Sequence, residues 1–247
     1  MTRLIRLLLA LVVLVLTQPA FALAAEQVDL LLVLASDVSR SVDHPKYLLQ
    51  REGYAAAISD PQVLDAIREG PHQRIAVCFV EWSGFGAQKV VIDWTLIDGP
   101  GPARRFGDQL LELPRSFADR TSISGGIEFS AAQLARAPFE AGRRTIDVSG
   151  DGTNNAGRDV RLARDEVLAR GIVINGLVIL SDRPVPWNAE HTNPPGGLEK
   201  YYRDNVIGGP GAFVMVAENF HSFGRAIIKK MIAEIASLQR GPRVTFR

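Results

Sequence analysis

Leu30-Leu31-Leu32-Val33-Leu34-Ala35-Ser36-Asp37-Val38-Ser39-Arg40-Ser41 reads as a buried strand that runs straight into a cluster of oxygen donors. The apolar run has the length and composition of a core strand. With only Ser36 between, it delivers one carboxylate, Asp37, and two hydroxyls, Ser39 and Ser41, at alternate positions of a tight turn. A hard divalent cation takes such oxygen donors, and Mg2+ keeps several waters beside one or two carboxylates. The pattern is short. Read alone, Asp37 also suits a helix cap and the two serines suit ordinary turn hydroxyls. Its meaning depends on whether other segments bring donors to the same place.

Working outward, apolar runs alternate with helical patterns, which specifies an α/β layer architecture. Strands are expected at 28–35, 75–81, 90–94, 145–148, 172–180 and 213–216. Helices are expected at 44–58, with Asp43 as cap and Pro45 in the first turn, and at 103–113, 124–135, 159–169, 198–205 and 219–238. In the last of these, Phe220, Phe223, Ile227, Met231, Ile235 and Leu238 form one stripe at three- and four-residue spacing, a core-packing face. The short Ser83-Gly84-Phe85-Gly86 joins the second and third strands as a hairpin, so the third runs antiparallel.

This order of elements places the donors. If the first strand points up, Asp37, Ser39 and Ser41 lie at the top edge. The crossover helix makes the second strand parallel and the hairpin turns the third down. The next helix climbs, so the loop at 117–122 with Thr121 is also at the top, as is Asp151 after the fourth strand. This is the carboxyl-end edge at which open α/β sheets bind ligands.

The bulk properties narrow the class. The chain has 247 residues, 47% hydrophobic and 22% charged, which suits a sizeable core, and no repeat or low-complexity linker divides it, so 25–247 is expected as one domain with a short C-terminal tail. Residues 1–24 read as a secretory signal: Arg3 and Arg6, then the apolar stretch 7–16, then Ala22-Leu23-Ala24 as the cleavage site. That apolar stretch is short of the roughly 20 residues of a membrane span, and no span is expected after cleavage. Loss of Arg3 and Arg6 leaves 26 basic against 27 acidic residues, a near-neutral domain without a basic surface for nucleic acid. The single Cys78 lies in an apolar run and reads as core, so no internal disulfide forms. The four histidines lack metal-ligand spacing, and the loop that begins Asp151-Gly152-Thr153-Asn154 lacks the lysine and glycine spacing of a phosphate-cradling loop. An aspartyl-phosphate nucleophile at Asp37 is an alternative, but Ser39 stands where such enzymes place a second carboxylate.

Asp37-x-Ser39-x-Ser41, Thr121 in Thr-Ser-Ile-Ser-Gly-Gly-Ile, and Asp151-Gly152 together resemble the metal-ion-dependent adhesion site of von Willebrand factor A domains. Two stretches, Asp147-Val148-Ser149-Gly150-Asp151-Gly152 and Tyr201-Tyr202-Arg203-Asp204-Asn205-Val206-Ile207-Gly208-Gly209, are similar to an uncharacterised bacterial family of exported proteins with this fold. The resemblance implies a doubly wound, Rossmann-like, mostly parallel six-stranded sheet with one antiparallel edge strand, helices on both faces and strand order 3-2-1-4-5-6. It implies that Ser39, Ser41 and Thr121 coordinate an ion through hydroxyls, with Asp37 and Asp151 direct or through water. The ion is Mg2+, with Mn2+ or Ca2+ as substitutes, and one open position takes an Asp or Glu carboxylate of a partner protein. The implied function is an exported, periplasmic or secreted, adhesion or scaffolding module rather than an enzyme. The alternatives are a Mg2+-dependent phosphohydrolase and a structural domain with a vestigial site. Partner choice is expected in three loops at this edge, with Phe85, Asn154, Trp187, Asn188, Glu190 and His191 as contact candidates; the Pro-rich third loop, 181–197, is long enough to be a shaped surface.

Overall fold

The structure, a computed structural model, describes residues 25–181 and 188–236. The expected leader at 1–24, Trp187 and Leu238 lie outside these. The central strand, β2 (Leu31–Asp37), is buried at every residue and pairs in parallel with β3 (Ile75–Trp82) on one side and β6 (Arg144–Gly150) on the other. Beyond β3 lies the antiparallel edge strand β4 (Gln88–Ile97), and beyond β6 lie β7 (Val173–Ile179) and β8 (Val214–Ala217), both parallel. Residues alternate across β2 with period two. Leu32 and Leu34 join one core with helices α1 (His44–Ile58), α2 (Pro61–Arg68), α3 (Pro100–Glu112) and α8 (Phe223–Ala236). Leu31, Val33 and Ala35 join the other with α4 (Ile123–Ala135), α5 (Val160–Leu168) and α7 (Leu198–Asn205). A short helix, α6 (Ala189–Thr192), lies in the expected third loop.

The sheet order is β4-β3-β2-β6-β7-β8. In chain numbering this differs from the expected 3-2-1-4-5-6, because two further strands are present. β1 (Glu26–Gln27) and β5 (Phe139–Glu140) pair in parallel as a separate ladder. Two-residue strands carry no periodicity, so the sequence gives no sign of them.

Other differences have local causes. The first strand is expected to end at Ala35, with Asp37 in a turn; instead pairing continues to Asp37, opposite Trp82. Helix α2, not expected, is capped by Asp60, which accepts a hydrogen bond from the Gln62 amide (2.8 Å), and buries Val63, Leu64 and Ile67. The helix expected over 219–238 opens instead with a 3-10 turn, Phe220–Ser222. Asn219 and Ser222 exchange side-chain to backbone hydrogen bonds of 3.0 and 3.2 Å there, a capping box that sets the start of α8. Helix α1 occupies the expected 44–58, and its cap Asp43 accepts from the Lys46 amide at 3.0 Å.

Glycine is required where α4 crosses the sheet. A Cβ on Gly126 would stand 2.9 Å from the Trp82 indole, so a larger residue would push α4 off β3. Cys78 is buried, as its apolar neighbours indicate, and burial pushes its thiol up to about 12. Among the described residues no helix is long and apolar enough to cross a membrane.

Candidate metal centre

Three loops meet beyond the carboxyl ends of β2 and β6. In the first, the Val38 amide caps the Trp82 carbonyl (2.9 Å), and Asp37 Oδ1 accepts from the Ser39 amide (2.7 Å). This folds the chain back so that Ser39 Oγ and Ser41 Oγ lie 3.1 Å apart. Ser41 donates its one hydroxyl hydrogen to Asp151 Oδ1 at 2.5 Å, so Ser39 is the donor to Ser41. The second loop ends at Thr121, just before the α4 cap Ser122, and is tied to the β3–β4 hairpin through Ser122 N–H to Ser83 O (2.7 Å). The third follows Asp151. Its Asn155 and Ala156 amides donate to Thr121 O (2.9 and 3.1 Å), and Asn155 Oδ1 accepts from Thr121 N (2.9 Å). Asp37, Ser39, Ser41, Thr121 and Asp151 are all buried.

The two carboxylates are short of partners. Asp37 Oδ2 and Asp151 Oδ2 are fully buried without a hydrogen bond, an anomaly for such groups. Burial, reinforced by the Asp151 carboxylate, pushes the Asp37 carboxyl up to about 8. Burial also raises Asp151, against the hydrogen bond from Ser41 and the Lys46 ammonium, whose Nζ is 3.9 Å from Asp151 Oδ2 and 2.8 Å from Ser41 O. Orphaned carboxylate oxygens beside the hydroxyls of Ser39 and Ser41, with Thr121 on the same cleft as Ser41, are a hard, oxygen-only donor set, and it fits a divalent cation. Among the described residues no three His, Cys, Asp or Glu side chains converge as ligands, so such a set carries at most two anionic donors.

Of the residues named for partner contact, His191 comes closest to this set. Its Nε2 is 3.2 Å from Thr121 Oγ1, and its Nδ1 lies 3.3 Å from both Thr153 Oγ1 and Asn155 Nδ2. Asn155 Oδ1 is engaged by the Thr121 amide, so Asn155 presents its NH2 to Nδ1, and Nε2 then carries the hydrogen toward Thr121. Gly152 makes room for the ring: a Cβ there would stand 2.2 Å from Cε1 and Nε2. Burial lowers the His191 pKa, which favours the neutral ring. His191 and Asn188 line a cleft of about 270 Å³ with Arg40, Ser41, Arg120 and Thr121. Phe85 is 82% exposed at the hairpin tip. Asn154 is committed internally, its Oδ1 to the Ser124 amide and its Nδ2 to Arg158 O (both 3.1 Å), and Glu190 is exposed outside the cleft lining.

Arg115 escaped the sequence reading. Its Nη2 donates to Val38 O (2.6 Å) and Ser39 O (2.9 Å) and its Nε to Phe117 O (2.7 Å), clamping the Ser39 loop to the loop that ends at Thr121. A lone arginine after a helix carries no signal for such a role. Loss of a residue that supports ligands from behind costs about 10–100-fold in metal affinity. Arg115→Met is expected to weaken Mn2+ binding by that much in a calorimetric titration. Unchanged affinity would show that the two loops hold their alignment without the clamp.

A sequence-family model described as "Protein of unknown function (DUF1194)" matches residues 27–239. No curated protein matches the sequence. Solved structures show the fold. A mussel byssus protein, proximal thread matrix protein 1 with a zinc-occupied MIDAS motif, superposes with TM-score 0.56 and 15% identity, over 86% of this chain and 47% of its own. A von Willebrand factor type A protein from Catenulispora acidiphila gives 0.54 and 11%, over 85% and 42%. The PilB minor pilin from Streptococcus sanguinis gives 0.55 and 13%, over 92% and 65%. The chain thus spans less than two thirds of the length of each of these three.

Proposed function

The chain belongs to the DUF1194 family of unknown function and has a von Willebrand factor A fold, and from that premise we propose that it is an exported, metal-dependent protein-binding module. The observation that carries this reading is the pair of buried carboxylates, Asp37 and Asp151, each with an orphaned oxygen beside the hydroxyls of Ser39 and Ser41. Ser39, Ser41 and Thr121 hold the ion through their hydroxyls, and Asp37 and Asp151 bind it directly or through water. Mg2+ suits this oxygen-only set, and Mn2+ and Ca2+ are the substitutes. Bound there, the cation would supply a Lewis-acidic centre able to take an Asp or Glu carboxylate of a partner. The chain's own residues orient that partner: Asn188, Arg40 and Arg120 offer donors around the cleft, and Phe85 offers an exposed apolar contact on the neighbouring hairpin. The zinc-occupied MIDAS of the mussel protein supports a divalent ion on this fold, and the likeness to a pilin supports a binding role over catalysis. The leader-like residues 1–24 support export to the periplasm or beyond.

A peptide array tests the reading. Peptides bearing Asp or Glu, beside their Asn or Gln counterparts, are probed with the protein in Mg2+ and in EDTA. Binding is expected only with the carboxylate and only with the ion. Binding that survives both EDTA and the amide peptides would refute it. Turnover of a generic phosphate ester that is lost in Asp37→Asn would favour a phosphohydrolase instead.

A further inference from the structure

On the far side of β6 from α4, and away from the metal centre, three ionisable side chains are sealed inside the protein. Lys230 and Asp147 are 0% exposed and Glu234 is 1% exposed. Lys230 Nζ lies 2.7 Å from Asp147 Oδ1 and 2.5 Å from Glu234 Oε1. Glu234 Oε1 also accepts from Asn175 Nδ2 (2.9 Å), and Asn175 Oδ1 holds the Phe213 amide (3.2 Å). The Phe213 ring centroid is 5.6 Å from the Lys230 nitrogen. Arg143 fastens the end of α8 to the sheet by donating to Glu234 O (2.5 Å) and Ile235 O (3.3 Å).

As an ion pair this arrangement is poor. One lysine nitrogen lies between two buried carboxylates in an apolar interior, where even balanced pairs are costly. Neither oxygen of Asp147 has a hydrogen bond in good alignment, although Lys230 is within reach. Burial pushes the Asp147 carboxyl up to about 7, against the pull of Lys230 and with help from Glu234. A carboxyl group held 2.7 Å from a lysine nitrogen and closed off from water has the starting geometry for an amide.

We propose that Lys230 and Asp147 become joined by an intramolecular amide bond, tying α8 to the central sheet, with Glu234 as the proton-transferring group. A proton moves from the Lys230 ammonium to the Asp147 carboxylate, giving amine and acid. The amine lone pair attacks Cγ of Asp147, forming the N–C bond. Glu234 takes a proton from the nitrogen and delivers it to the departing hydroxyl, the C–O bond breaks, and one water leaves. Ammonium and carboxylate thus become amide and water, with no redox change and no co-reactant. Positioning supplies the rate, since held reactants reach effective concentrations of about 10⁵–10⁸ M, and a buried acid–base group adds to it. The product removes one positive and one negative charge from the core and keeps the hydrogen bond from Asn175 to Glu234.

Mass spectrometry of the whole chain, denatured, tests this. The expected mass is one water lighter than the sequence, and trypsin is expected to release residues 145–158 joined to residues 230–240 as one branched peptide. The branched peptide is decisive because Asp151-Gly152 lies in the same fragment and can itself lose water as a cyclic imide, leaving that fragment linear. Glu234→Gln and Lys230→Arg are expected to return the full mass and two linear peptides. A wild-type chain at full mass, or one lighter by a water with 145–158 still linear, would overturn the proposal whether or not the variants fold.

Discussion

Replacing Arg51 by Met is expected to destabilise the protein by about 3–5 kcal/mol, because it leaves a buried carboxylate without its partner. Arg51 lies on α1 and Glu81 on β3, and both are buried. The guanidinium donates to Glu81 Oε1 through Nη2 (2.6 Å) and Nε (3.1 Å), reaches Leu110 O through Nη1, and stacks near Tyr47 and Phe79. Glu81 Oε2 is engaged by the Ser116 amide at 2.8 Å. One ion pair therefore joins a helix, a strand and the loop that leads to Thr121. Urea unfolding of Arg51→Met checks the size of the effect. The double variant Arg51→Met/Glu81→Met is expected to recover much of the loss, since replacing both ions of a buried pair by apolar groups is often neutral. A loss in Arg51→Met below 1 kcal/mol would mean that water reaches Glu81.

The second large effect concerns pH. Asp37 holds its proton up to about pH 8 when no ion is present. A cation binds the ionised form, so below that pH it must displace a proton, and affinity falls by up to about tenfold per pH unit for one proton. Mn2+ affinity is therefore expected to drop steeply from pH 8 to pH 6 and to level off above pH 8. Stability of the ion-free protein moves the other way. The folded pKa of Asp37 lies above its unfolded value, so its contribution is fully present at acid pH and is lost as pH rises toward 8. Denaturant midpoints in EDTA should fall over that window, and midpoints in excess metal should not. An affinity independent of pH between 6 and 9 would show that Asp37 is already ionised.

Much of the site was legible because its logic is topological. Asp37, Ser41 and Asp151 meet because β2 and β6 are parallel neighbours whose ends share an edge, and Thr121 reaches the same cleft through the loop after Asp151; apolar runs with a helical crossover reveal that edge. Helix α1 was legible because Asp43 and Pro45 mark its start chemically. The strand ends were less so. Pairing with Trp82 carries β2 on to Asp37, and pairing is a property of the partner strand. The ion networks were invisible for a related reason. Arg51, Glu81, Lys230 and Glu234 look like solvent-facing charges in sequence, and only the packing of α1 and α8 against the sheet buries them. His191 was visible as a residue of a long loop, but its contact with Thr121 depends on helix α6 and on the bare backbone of Gly152.

The central claim is that this edge binds a divalent ion, and thermal unfolding of the chain from residue 25 onward tests it most directly. Wild type and Asp151→Ala are compared in EDTA and in millimolar Mg2+ or Mn2+. Binding to the native state stabilises it by about 2.7 kcal/mol at 100 times the dissociation constant, so the wild-type midpoint is predicted to rise with metal. Asp151→Ala, relieved of a buried carboxylate, is predicted to show no such rise and to be at least as stable as wild type in EDTA. Identical wild-type midpoints with and without metal, or an equal rise in the variant, would contradict the claim.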